Sequence, residues 1–254
     1  MKTEILYEDN SILVIRKPAG LAVQSAGIGQ PDVVSELKSY LAKLPDAGRP
    51  GKGEPYLGIV HRLDQPVEGL LVFAKDKKAA AILSKQLTEG ALNKHYYSVL
   101  CGYPDCPEGD LVDYLRKEGN VAVAVTGREQ GFADAKIAVL HYRILEEIND
   151  PSPLALADVT IGTGRFHQIR VQFAHAGFPL LGDTKYGMAA LKEAMPAQKY
   201  RGVALCAYSL ELVHPVSGKK MGFRVVPKNP AFAGFAMEEL KKLTENETGI
   251  SKRG

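Results

Sequence analysis

Two short apolar runs, Ile5-Leu6-Tyr7 and Ile12-Leu13-Val14-Ile15, stand four residues apart, and Glu8-Asp9-Asn10-Ser11 between them is turn chemistry. A gap that short leaves no room for a crossover helix, so the chain is expected to open as a strand hairpin. Lys17-Pro18-Ala19-Gly20 stops the second strand, because proline cannot donate to a ladder and glycine relaxes the turn. Residues 32–44 carry Val33, Val34, Leu37, Tyr40, Leu41 and Leu44 at helical spacing, with Pro31 suited to a first helical turn.

The Gly- and Pro-rich stretch 45–55 reads as a loop leading to a short strand, Tyr56-Leu57-Gly58-Ile59-Val60, which delivers His61. Asp76 can cap a helix over 77–87, and strand character returns at 94–100. Residues 102–134 are polar and interrupted by glycine, and loops or a small insertion are expected there. Strands are expected at 135–145 and 154–161, and a helix over 166–176 closed by Gly177. Late strands at 202–213 and 221–226, an amphipathic helix over 231–243 and a fraying tail at 244–254 complete the order. Strands and helices do not alternate as strict βαβ units. The expected class is therefore α+β, a mixed, largely antiparallel sheet with flanking helices.

At 254 residues the chain can bury a full core, as one large domain or as two lobes. Its 45% apolar and 24% charged residues are an ordinary globular mix, and disorder is not the default. A net charge of +3 neither demands nor excludes nucleic acid. Cys101, Cys106 and Cys206 show no paired zinc spacing and read as free thiols in a reducing compartment. No apolar stretch approaches the roughly 18 residues needed to cross a membrane, so a cytoplasmic protein with no membrane partner is expected.

Candidate chemistry lies in two segments. His61-Arg62-Leu63-Asp64 precedes Gln65-Pro66-Val67-Glu68-Gly69, a turn that runs into Leu70-Leu71-Val72-Phe73-Ala74. Asp64 is the candidate nucleophile, since a carboxylate can attack an electron-poor carbon and leave again. It could equally be a turn aspartate. Glu68 invites a two-carboxylate hydrolase reading, but Pro66 makes a helix through these positions improbable, and a solvated turn glutamate is the simpler expectation. The second segment, Gly162-Thr163-Gly164-Arg165-Phe166-His167-Gln168-Ile169-Arg170, sets a glycine turn and Arg165 at a helix start, where free N–H groups attract anions. Arg170, on the helix body, is either a snorkelling cation or a buried ion-pair partner. His167 and His175 are eight apart, not the four of a helical zinc pair, so no metal is expected. Of Tyr96 and Tyr97, one can pack in the core while the other faces a cleft. Lys75, Lys77, Lys78, Lys85 and Lys94 form a positive neighbourhood, a few of which could meet phosphates.

Taken together these blocks resemble the RluA-type family of RNA pseudouridine synthases. The resemblance runs through Lys17-Pro18-Ala19-Gly20-Leu21, His61-Arg62-Leu63-Asp64 with Gly69-Leu70-Leu71-Val72, and Lys94 with Tyr96. It continues through Gly164-Arg165 with His167-Gln168-Ile169-Arg170-Val171, Pro179-Leu180-Leu181-Gly182-Asp183 with Tyr186-Gly187, and His214-Pro215. It implies a cofactor-free isomerisation in which a uracil is detached from its sugar, turned and rejoined through carbon 5, on a catalytic domain with a central cleft. Asp64 would act at the anomeric carbon, by attack or by proton abstraction. Arg170 would pair with Asp64, Tyr96 would stack on the base, and Arg62 would hold the extruded nucleotide. Ile169 would wall the pocket, while His61, Arg165 and Lys94 would join the substrate contacts. The resemblance further implies rRNA or tRNA as partner, a monomer, and one catalytic domain over 1–254 without a preceding S4-type RNA-binding domain. Val67-Glu68 and Gln172 depart from the family's usual Thr-Ser and His. The rivals are a noncatalytic RNA-binding protein and a hydrolase using Asp64 with Glu68.

Overall fold

A hairpin does open the chain. The computed structural model describes residues 1–25, 27, 29–44, 54–125, 134–149, 152–187 and 202–236. β1 (Glu4–Glu8) pairs antiparallel with β2 (Ile12–Lys17). Asp9 fixes the turn between them, its Oδ1 accepting from the N–H groups of Ser11 and Ile12. α1 (Val33–Leu41) starts after Asp32, whose side chain accepts from Ser35 N–H. Pro31 thus lies one residue before the cap, outside the first turn where the sequence suggested it. β3 (Gly58–Ile59) and β4 (Glu68–Ala74) follow, then α2 (Lys77–Thr88), capped by Asp76 as expected.

The remaining elements are β5 (Asn93–Cys101), β6 (Glu108–Glu118), β7 (Val121–Val125), β8 (Lys136–Ile148) and β9 (Leu154–Ile161). After them come α3 (Gln168–His175), β10 (Leu205–Val213) and β11 (Lys220–Arg224). The chain divides into two compact units, 1–94 with 207–226, and 95–206 with 227–254.

In the first unit β1, β2, β4 and β10 lie side by side, β3 also pairs β4, and β11 pairs β10. Ile12, Leu13, Val14 and Ile15 are fully buried, and Leu70 to Ala74 nearly so. Both faces of β2 and β4 are covered, which is why these strands read as unbroken apolar runs rather than alternating ones. Each such side chain contributes roughly 1.5–3 kcal/mol. α1 buries Val33, Val34, Leu37 and Leu41, and α2 buries Ala79 and Leu83. At the head of β4, Gly69 has φ +128° and any Cβ would lie 2.4 Å from the carbonyl oxygen of Ala207. Only glycine lets the two backbones approach so closely.

The second unit carries the order β5–β9–β8–β6–β7, every pair antiparallel. Where the sequence suggested loops over 102–134, the chain forms β6 and β7, a hairpin turning at Gly119-Asn120 with Gly119 at φ +57°. β6 is polar because much of it faces water: exposed or half-buried positions fill it apart from Leu115. α3 ends before Gly177, which adopts φ +92° as expected of a residue just past a helix. Of the expected helix over 231–243, residues Pro230–Phe232 form one 3₁₀ turn. Residues 237–243, the tail 244–254, and most of the expected loop 45–55 lie outside the described residues.

Candidate functional site

His61, Arg62 and Asp64 occupy extended backbone between β3 and β4 in the first unit. Inside and outside alternate along it. His61 and Leu63 are buried, Arg62 is exposed and Asp64 is half-buried. The turn after Asp64 closes by a hydrogen bond from Val67 N–H to the Asp64 carbonyl. Arg62 reaches out to Gln24 Oε1 at 3.2 Å.

A buried lysine holds this turn. Lys17, at the end of β2, is 0% exposed, and its Nζ donates to the carbonyls of Pro18, Leu21 and Gln65 at 3.0, 2.7 and 3.0 Å. Gly20 N–H donates to the same Gln65 carbonyl at 2.8 Å, and Gln65 Nε2 returns a bond to the Gly20 carbonyl. Asp64 is thereby tied through its neighbour to a second loop. Burial pushes the Lys17 ammonium down to about 7, against the opposite pull of Asp64 and Glu68. The sequence pointed to Lys17 in the segment that stops β2 and in the first block of the resemblance, without a role of its own.

Glu68 is the clearest correction in this segment. It is buried in β4, with Arg16 Nη2 3.6 Å from its carboxylate, and is not a solvated turn residue. An acid enclosed beside an arginine is poorly placed to share hydrolysis with Asp64, and the two-carboxylate reading loses its second member.

His61 is interior as well. Its Nε2 accepts from Val72 N–H at 3.3 Å, so the ring proton sits on Nδ1, which has no partner. Burial, with the Lys94 charge added, pushes the imidazole down to about 3. This gives a pH dependence. The unfolded chain takes up a proton near 6.5 and the folded one does not, so the contribution is intact above pH 6.5 and is lost as pH falls toward 3. At pH 5 the loss is about 2 kcal/mol. Urea unfolding at pH 7.5 and pH 5 should show the wild type losing that much more than His61→Gln; equal losses would mean that His61 is not held neutral in the fold.

Lys94 opens β5 in the first unit, and burial lowers its ammonium below the ordinary range. The other expected residues belong to the second unit. Tyr96 is 5% exposed in β5 and Tyr97 is the more open of the pair. Ile169 and Arg170 are buried in α3. Arg170 donates through Nε and Nη2 to the two carboxylate oxygens of Asp183 at 2.7 and 2.8 Å, and its guanidinium lies 5.2 Å from the Tyr186 ring centroid. Asp183 also accepts from the N–H groups of Lys185 and Tyr186. Of the two readings of Arg170, the structure shows the buried ion pair. Asp183 was missed because thirteen residues and a helix end separate it from Arg170. Its place in the Pro179 to Asp183 block was the one available signal.

The glycine turn before α3 is filled by its own hydrogen bonds. Gln168 Oε1 accepts from Arg165 N–H and Thr163 Oγ1, while Gln168 Nε2 donates to the Val139 carbonyl. Gly162 N–H donates to that carbonyl too. Arg165 directs Nε to the Ile137 carbonyl at 2.9 Å. Two N–H groups of the expected cradle, those of Gly162 and Arg165, are thus engaged internally. Gln172 bonds through Nε2 to Leu111 O and Asp113 Oδ2, which ties α3 to β6. Among the described residues no group of three or more His, Cys, Asp or Glu is placed to hold a metal ion, and no helix is long and apolar enough to cross a membrane.

A family model described as RNA pseudouridylate synthase matches residues 11–175, more than half of the chain. An uncharacterized RNA pseudouridine synthase of Synechocystis sp. is 40% identical over 225 residues, 85% of this chain and 63% of that protein. Ribosomal large subunit pseudouridine synthase D of Zymomonas mobilis is 35% identical over 230 residues, 87% of this chain and 68% of its own. The chain thus spans about two-thirds of the length of these relatives. The solved structure of human RNA pseudouridylate synthase domain containing 4 superposes with a TM-score of 0.68 at 25% identity, covering 94% of this chain and 93% of that one.

Proposed function

Since the chain belongs to the RNA pseudouridylate synthase family, we propose that it isomerises uridine to pseudouridine in ribosomal RNA, with Asp64 acting at the sugar's anomeric carbon. The observation that carries this reading is the clamp on Asp64. A half-buried carboxylate follows exposed Arg62 on a turn whose backbone is held by Lys17 and Gly20, which fixes the backbone from which it projects. The bond from the base nitrogen to the anomeric carbon breaks, the uracil turns, and carbon 5 takes its place while its proton leaves. N1 takes up a proton in exchange for the one carbon 5 yields to solvent, so the isomerisation balances and calls for no redox partner.

Arg62, at the surface beside this turn, is assigned to the extruded nucleotide's phosphate, and Lys94 joins it as a further cation. Tyr96 and Ile169 are assigned to the base, and Arg170 to orienting a carboxylate. Ribosomal RNA is preferred to tRNA because the Zymomonas relative is named for the large ribosomal subunit. The chain is assigned to the cytoplasm and to action as a monomeric catalytic domain.

Tritium release from RNA labelled at carbon 5 of uridine tests the reading. The wild-type protein should release tritium to water from ribosomal RNA; no release from ribosomal or transfer RNA would overturn the assignment.

A further inference from the structure

Phe166 is 40% exposed, and a lone exposed aromatic ordinarily needs no explanation. This one is held in place. Its ring stacks on the His167 imidazole, with centroids 3.8 Å apart and planes 22° from parallel. His167 is the one non-glycine residue with positive φ among the described residues, at φ 54°. The conformation is uncommon for a residue with a side chain, so something must hold it. His167 Nδ1 lies 2.6 Å from Tyr186 Oη, and that oxygen already accepts from Ala122 N–H, which leaves its own hydrogen to donate to the imidazole. The Phe166 platform therefore rests on a chain of contacts reaching β7 and the segment after α3.

A cation lies over the ring. Lys117 Nζ, on an exposed side chain near the end of β6, lies 4.9 Å from its centroid. Arg165 precedes it, with Nε as the donor engaged on Ile137 O. A held aromatic face, with an exposed ammonium over it and a guanidinium on the preceding residue, matches what an unpaired nucleotide offers: a flat base and a phosphate.

We propose that Phe166 is a stacking platform for one unpaired base of the RNA outside the target uridine, with Lys117 and Arg165 meeting its flanking phosphates. The inference rests on the reading of the protein as an RNA enzyme and adds a place where sequence context around the target is felt. On binding, the base takes the ring face now near Lys117, and the lysine, whose stem is free to turn, moves to the phosphate. A protein or lipid partner is disfavoured, because the apolar group on offer is a single ring while the cation over it suits a polyanion.

The sequence contains no tryptophan, so Phe166→Trp supplies the sole tryptophan, at the platform, excited beyond the absorption of the tyrosines. Deproteinised ribosomal RNA is titrated into this variant while retention on a filter reports binding separately. Retention together with quenched tryptophan emission is the expected result. Retention with unchanged emission overturns the platform while leaving the RNA enzyme standing; no retention overturns both. With the wild-type background, Phe166→Leu keeps apolar bulk without a π face and should weaken retention about tenfold, whereas Phe166→Tyr should restore it. Lys117→Gln should lower the salt slope of binding by about one. Wild-type retention by Phe166→Leu would overturn the proposal, and an unchanged melting temperature in each exposed-site variant excludes unfolding as the cause.

Discussion

Asp64→Asn is expected to reduce turnover at least about a thousandfold while RNA affinity stays within about tenfold. The amide is nearly the same size as the carboxylate, and the turn is held by backbone bonds from Lys17, Gly20 and Val67 rather than by the Asp64 side chain alone. Shape survives while the charge and its lone pairs do not. Single-turnover tritium release with enzyme in excess separates the chemical step from binding. Turnover within tenfold of wild type would remove Asp64 from the reaction, and release of free uracil by the wild type would turn the assignment toward a hydrolase.

Arg170→Met is expected to lower stability by about 3–5 kcal/mol, because it leaves Asp183 charged, buried and without its fork of donors. Both side chains are nearly inaccessible, at 4% and 0% exposed, so water cannot replace the lost partner. Asp183→Asn should cost less, since the amide still accepts from Lys185 and Tyr186. Chemical denaturation of both variants tests this order. If Arg170→Met unfolds at the wild-type midpoint, the ion pair does not hold α3 to the segment after it.

What could be read from the chain beforehand was what neighbouring residues decide. The opening hairpin, the Asp76 cap and Gly177 beyond α3 each depend on residues within a few positions, and each stands where the sequence put it. β6 was hidden because its charged residues Asp110, Asp113, Arg116 and Lys117 fall on both faces, which masks strand alternation. The Gly119-Asn120 pair was a two-residue hairpin signal that could have revealed it. Burial of charge was the least legible. Lys17 and Glu68 look like surface residues by type, and their enclosure follows from β2 and β4 lying covered on both faces. The Arg170–Asp183 pair is a matter of tertiary packing, which local pattern does not encode. The family resemblance pointed to the candidate residues but was silent on how each is supported.

The Lys17 clamp bears on which partner moves when enzyme and RNA meet. A loop that opens like a lid must release its backbone bonds cheaply, and this one shares a carbonyl between a buried ammonium and a neighbouring amide. The turn carrying Asp64 is thus an anvil rather than a jaw. Under the proposed reaction, deformation would fall to the nucleic acid, whose uridine must unstack, at a cost of a few kcal/mol, to reach a carboxylate that waits in place. Loops and mismatched helices, where that cost is lowest, would then be the sites such a surface selects.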